Sequence, residues 1–197
     1  MKKLALVFLA GLSLATAKAQ IQFGVKAGAN FANLRVSPSQ DGFSLSNKID
    51  FNGGVLVNIP LVSKLSLQPE VVYSGQGSKF SESGFDGKYN FAYVNIPVLV
   101  KYKIAAGFFA ETGPQFGILA SAKVKEGSTS TDVKSSVKST DFAWALGVGY
   151  NLPFNLGIDV RYNLGLSNIS KDNTDNETLK NGILQAGVFY LFGGGKK

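Results

Sequence analysis

Phe23-Gly24-Val25-Lys26-Ala27-Gly28-Ala29-Asn30-Phe31-Ala32 is the stretch that decides the fold. In an extended chain, alternate side chains point to opposite faces. One face here carries Phe23, Val25, Ala27, Ala29 and Phe31, and the other Gly24, Lys26, Gly28, Asn30 and Ala32. Residues 156–166 repeat the contrast, with Leu156, Ile158, Val160, Tyr162, Leu164 and Leu166 set against Gly157, Asp159, Arg161, Asn163 and Gly165. The polar face is mostly Gly, Ala and Asn with isolated charges, whereas a water-exposed surface is normally rich in Lys and Glu. Small polar residues suit the crowded inside of a narrow barrel whose apolar face meets lipid. A soluble, lipocalin-like binder with the apolar face inward is the alternative, and the Gly-rich face would make it a poor solvent surface.

The same alternation marks strands at roughly 21–34, 48–60, 64–79, 89–104, 107–123, 138–151, 155–169 and 181–192. The connections alternate in length. Leu61-Val62-Ser63, Ala105-Ala106 and Leu152-Pro153-Phe154 are tight, while residues 35–47, 80–88, 124–137 and 170–180 are longer and rich in Ser, Gly, Asp, Asn, Thr and Lys, which predicts mobile loops. An even strand number with short turns at one rim and long loops at the other predicts an all-β fold: an eight-stranded antiparallel up-and-down transmembrane β-barrel. Its termini then lie at the periplasmic rim and its loops outside. Pro69, Pro97 and Pro114 fall within strands, where proline cannot donate to the ladder, and they predict bulges or ladder interruptions near the short-turn rim.

Residues 1–19 read as a cleaved signal peptide: Lys2 and Lys3, an apolar run from Leu4 to Ala15, then Ala17-Lys18-Ala19. The barrel domain is 20–197. Export to the outer membrane follows, since the apolar run is shorter than the ~20 residues of a spanning helix. The formal charge of +7 falls by three to +4 when Lys2, Lys3 and Lys18 leave with the leader. No dense Lys/Arg cluster of the kind nucleic acid needs is present. The chain has no Cys and no His, which removes thiolate metal sites, disulfides and the commonest general base. No motif calls for a cofactor or metal, and Gly75-Gln76-Gly77 and Gly147-Val148-Gly149 precede no helix, so they are not phosphate loops.

The inward face is predicted to hold Lys26, Glu70, Lys101, Glu111, Asp159 and Arg161, three charges of each sign, as a lumen charge network. In so narrow an interior, mutual pairing is the simplest outcome. A small non-specific channel for ions or solutes is the competing reading, and an acid–base pair of Glu70 and Glu111 a remote one. Phe109, Phe189 and Leu191 fall on the inward face against the polar-inside rule and put the register there in question. Aromatic residues near strand ends are predicted to form girdles at headgroup level: Tyr102, Phe108, Tyr150, Phe154, Tyr190 and Phe192 at one rim, Phe31, Phe51, Tyr73, Phe142 and Trp144 at the other. Expected partners are outer-membrane lipid and lipopolysaccharide, the barrel assembly machinery during biogenesis, and an unidentified protein at the loops. The lysines of residues 123–138 are candidates for binding lipopolysaccharide phosphates.

Several segments carry a family resemblance. Residues 23–31, Leu67-Gln68-Pro69-Glu70-Val71-Val72-Tyr73, Asn95-Ile96-Pro97-Val98-Leu99-Val100-Lys101-Tyr102, Glu111-Thr112-Gly113-Pro114-Gln115 and Gly157-Ile158-Asp159-Val160-Arg161-Tyr162 resemble PorT-like outer-membrane β-barrel proteins of Bacteroidota. The resemblance implies an integral outer-membrane barrel, makes the in-strand prolines family features, and includes a namesake linked to gliding-associated protein secretion. The tail after Phe192, Gly193 to Lys197, departs from the usual ending on a terminal aromatic.

Overall fold

In the computed structural model, residues 21–37, 43–82, 85–171 and 178–192 are described. The proposed signal peptide and the tail after Phe192 lie outside them. The strands are β1 (Gln22–Ser37), β2 (Phe43–Ser46), β3 (Lys48–Val62), β4 (Leu65–Glu82), β5 (Phe85–Lys103), β6 (Phe108–Glu126), β7 (Thr129–Asp132), β8 (Thr140–Asn151), β9 (Leu156–Gly165) and β10 (Thr178–Phe192). Eight of them close a ring in the order β4-β3-β1-β10-β9-β8-β6-β5, with β5 returning to β4. All neighbours are antiparallel, and β1 and β10 close the ring along Phe23↔Phe192 to Ser37↔Thr178. The short strands β2 and β7 extend the wall at the loop rim, pairing with β4 and β6.

Alternation sets the faces. Phe23, Val25 and Phe31 are exposed on the outside while Lys26, Asn30 and Ala32 are buried inside. On β8, Phe142, Trp144, Leu146 and Val148 face out, with Ala143 and Ala145 buried behind them. So broad an exposed apolar belt is the signature of a surface meant for a non-aqueous neighbour. The lipocalin-like arrangement, with the apolar face inside, is not the one adopted.

The prolines interrupt the ladder without shifting it. Each lies in a two-residue gap, and the register resumes unchanged beyond. The β3–β4 pairing passes from Leu56↔Glu70 to Ile59↔Leu67 around Pro69. The β4–β5 pairing skips from Pro69↔Val98 to Val72↔Asn95 around Pro97, and β5–β6 from Pro97↔Gln115 to Val100↔Thr112 around Pro114. Each proline still pairs on its other side: Pro69 with Val98, Pro97 with Gln115, Pro114 with Trp144. The missing N–H of each faces the broken rung, as the ring chemistry requires. The register shifts of the wall occur elsewhere, between Pro60 and Val62 and at Ala92/Tyr93.

Among the described residues, three of the expected loops are largely strand; in 35–47, residues 35–37 end β1 and residues 43–46 form β2. Of residues 80–88, read as a loop, 80–82 end β4 and 85–88 begin β5, and the two stay paired out to Glu82↔Phe85. Residues 124–137 form a β6–β7 hairpin and a short 3-10 turn at Lys134–Ser136, then return so that Val137 is buried and bridges to Ser170. Polar loop composition concealed this, because an outward face beyond the apolar belt is also polar. Conversely, β9 ends at Gly165, short of the expected 169, and Ile169 folds inward to full burial. At the opposite rim, Phe154 and Asn155 both adopt φ of 63°, the left-handed pair of a two-residue hairpin turn.

Val160 stands at the middle of β9, outward, between Val148 and Ala186. Val160→Arg is expected to destabilise the barrel by about 2–4 kcal/mol if this position lies at the bilayer midplane. Urea titration of folding in lipid vesicles measures it, and unchanged stability would place Val160 away from hydrocarbon.

Candidate functional site: the barrel interior

Arg161 on β9 is the centre of the interior and is 1 % exposed. Its Nη1 and Nη2 donate to Glu70 Oε2 and Oε1 of β4 at 3.1 and 3.0 Å, and its Nε donates to Glu111 Oε1 of β6 at 2.8 Å. The fork-shaped guanidinium suits this bidentate geometry. Lys26 of β1 bridges Glu70 at 3.3 Å and Asp159 at 3.6 Å. Lys101 of β5 lies 3.9 Å from Glu111 and donates to Gln68 Oε1 at 3.2 Å, while Gln68 in turn donates to Glu70 at 2.8 Å. The six charges predicted to point inward therefore meet in one cluster drawn from five strands of the ring. Both oxygens of Glu70 are occupied by Arg161, and Arg161 bridges Glu70 to Glu111 through Oε1, while Glu111 Oε2 has no hydrogen-bond partner among the described residues and lies 3.9 Å from Lys101.

Below this cluster, toward the short-turn rim, an apolar group lies beside Asn58, which donates to Ser66 and Gln68, and beside a cavity of about 360 Å³ that reaches Lys101. Leu56, Phe109 and Phe189 form a buried group with Leu191 packed against it. The two rings meet edge to face at 6.1 Å, and Lys101 Nζ sits 3.7 Å from the centre of Phe109 and 4.5 Å from that of Phe189. Such cation–π contact gives the ammonium a partner on its apolar side. The register at Phe109, Phe189 and Leu191 is thus regular: they point inward because the lumen floor is apolar. Glycines make the room. Phe109 pairs with Gly149 and Phe189 with Gly157, and a Cβ at either glycine would collide with the facing ring.

Above the cluster lies a neutral hydrogen-bond layer centred on Asn30. Its amide donates to Ser74 Oγ at 2.9 Å and to the Gly75 carbonyl at 2.8 Å, and its Oδ1 accepts from Asn52 and Gln185 at 2.9 and 3.0 Å. Higher still, Asp141 accepts from Ser167 at 2.6 Å and Asn181 at 2.8 Å, and Lys48 pairs with Asp50 at 2.6 Å. Sequence reasoning passed over Asp141 and Lys48, although period two places Asp141 inward beside the outward Phe142. The loop end closes with a second apolar group of Leu34, Phe91, Tyr93, Leu119, Ala122, Val137 and Ile169.

The rim aromatics face outward. Phe108 meets Tyr150 at 4.6 Å and Tyr190 meets Phe192 at 5.1 Å at the short-turn rim, with Tyr102 exposed nearby. Phe51 stacks on Tyr73 at 5.2 Å, while Phe31, Phe142 and Trp144 are exposed toward the other rim. Trp144 Nε1 donates to Thr112 Oγ1 at 2.9 Å, and Thr112 donates onward to the Ala145 carbonyl at 3.0 Å, so the indole N–H needs no water.

A closed ring of eight antiparallel strands with an apolar outside and an ionic inside defines a β-barrel of the outer-membrane type. The chain belongs to the family described as outer membrane protein beta-barrel domain, whose profile matches residues 15–171. Its fold is similar to that of Ail, the attachment invasion locus protein of Yersinia pestis, with 18% identity and a TM-score of 0.52 over 87% of this chain and 98% of that one. It is also similar to Neisserial surface protein A, with 19% identity and a TM-score of 0.53 over 85% of this chain and 96% of that one. No curated protein matches the sequence.

Arg161→Ala leaves Glu70 and Glu111 facing each other without their shared cation. Loss of one member of a buried ion cluster is expected to cost about 3–5 kcal/mol, seen as a lower melting temperature in detergent. A melting temperature unchanged within error would show that the cluster does not hold the barrel.

Proposed function

We propose that this chain is an integral outer-membrane barrel closed to solutes, acting through its loop rim in a structural, adhesive or accessory role. The observation that carries this is the interior filled at mid-height, above a cavity of about 360 Å³ at the short-turn rim. The neutral six-ion cluster is stacked between an apolar floor at Phe109 and Phe189 and an apolar ceiling at Tyr93, Leu119 and Ile169. An eight-stranded ring leaves an interior just wide enough for such side chains. On this reading the leader is cleaved, the short turns face the periplasm, the rim aromatics sit at headgroup level, and the chain is a PorT-like barrel of Bacteroidota. The rigid β4–β5 and β6–β7 hairpins then stand outside the cell as a binding wall, a role in keeping with the attachment named for the Yersinia pestis barrel.

Planar-bilayer recording of the refolded protein tests closure. No conductance steps are expected, and stable steps would establish the channel reading instead. Orientation is tested separately, because the chain has no native Cys. Thr131→Cys, on exposed β7, is expected to react with an impermeant maleimide on intact cells, and Ser63→Cys only after lysis. The reverse pattern would invert the barrel in the membrane.

A further inference from the structure

The register places three lysines side by side on the outer wall. Lys79 of β4 pairs with Lys88 of β5, and Lys88 pairs with Lys125 of β6. All three are exposed and share the outward face with Val71, Tyr73, Ile96 and Ile118 lower on the same strands. Ser46 and Ser130 continue the same rung on either side, through Ser46↔Lys79 and Lys125↔Ser130. Directly opposed residues on neighbouring strands lie ~4.5–5.5 Å apart at Cβ, and like charges there repel. Two such repulsions in one rung are unfavourable unless an anion joins them. Among the described residues, none of the three lysines forms an ion pair. Two carboxylates flank the row on this face, Asp86 one rung higher opposite Ser81 and Asp132 one rung lower opposite Lys123, which adds a fourth cation. The lysines border a concavity of about 520 Å³ that Ser46, Ser81 and Asp86 also line.

We propose that Lys79, Lys88 and Lys125 form a binding row for the phosphate-bearing headgroup of a membrane lipid in the leaflet around the loop rim. The inference rests on the membrane reading above. The source is a lipid because the row stands on the side of the cylinder, on the same outward face as the apolar belt and beyond its last large side chains Tyr73, Ile96 and Ile118, rather than on its top. Between belt and row lie Gly75 and Gly77 on β4, Asn90, Ala92 and Val94 on β5, and Ala120, Ser121 and Lys123 on β6. Lysine stems lie along apolar surface while the ammonium reaches a polar layer, the geometry of a headgroup contact. Gly77 brings the strands together under the row. Its φ of 113° and its contact with the Tyr89 carbonyl exclude any side chain there.

The test is native mass spectrometry of the folded barrel in detergent with diphosphorylated lipid A, compared with the same lipid stripped of phosphate. Wild type is expected to retain the phosphorylated form. The triple variant Lys79→Ser, Lys88→Ser, Lys125→Ser should retain it about ten- to a hundredfold less, given the contribution of each basic residue beside an anionic headgroup. Retention should also weaken with salt. Lys171→Ser, at the same rim but outside the row, should leave retention unchanged. Equal retention by wild type and triple variant, or equal retention of the stripped lipid, overturns the row. Inorganic pyrophosphate in solution binding as tightly as the lipid would assign the row to a soluble anion and overturn the lipid occupant. Heat-modifiable gel migration of each variant reports folding independently, so loss of the barrel itself is distinguishable from loss of the site; if the triple variant fails that check, the three single substitutions, each expected to reduce retention, decide.

Discussion

Every backbone N–H and C=O of a sheet standing in hydrocarbon has to find its partner within the sheet. The rest of this molecule depends on that constraint. It forces the ring to close through β1 and β10, and closure fixes a narrow interior. The interior then decides which residues fit: glycine beside aromatic rings at Gly149 and Gly157, and ions only where counter-ions from other strands can reach them. The outward side chains answer to the hydrocarbon alone, so they are apolar and otherwise little specified. Pro69, Pro97 and Pro114 test the constraint most severely. Each keeps one side of its strand paired and opens only the rung its ring cannot serve.

Much of this was legible in the sequence, because period two and turn chemistry are local signals. The eight ring strands, the inward positions of Lys26, Glu70, Lys101, Glu111, Asp159 and Arg161, and the outward rim aromatics can all be placed by counting alternate residues. Three things could not be read that way. Residues 80–88 and 124–137 have the polar composition of loops and of strands beyond the apolar belt alike, so composition did not separate the two states. The inward Phe109 and Phe189 violated a rule about polarity that holds for the middle of the lumen but not for its floor. And partner choice within the ion cluster depends on strands far apart in sequence, such as β4 and β9, whose relative height only the closed ring determines.

The lysine row is a case where the face was legible and the neighbours were not. Lys79, Lys88 and Lys125 each look like an ordinary solvated charge when their own strand is considered. Only the register brings them onto one rung.

The ion cluster also constrains how this chain can change over generations. Glu70 is shared by Arg161 and Lys26, and Glu111 by Arg161 and Lys101. Replacing any one of these residues strands a charge held by another, so viable drift inside the barrel must proceed by compensated pairs drawn from different strands. The lipid-facing side chains carry no such debt and can exchange one apolar residue for another singly. The two faces of each strand, a single residue apart, therefore differ in the substitutions they tolerate: paired changes inside, single apolar exchanges outside.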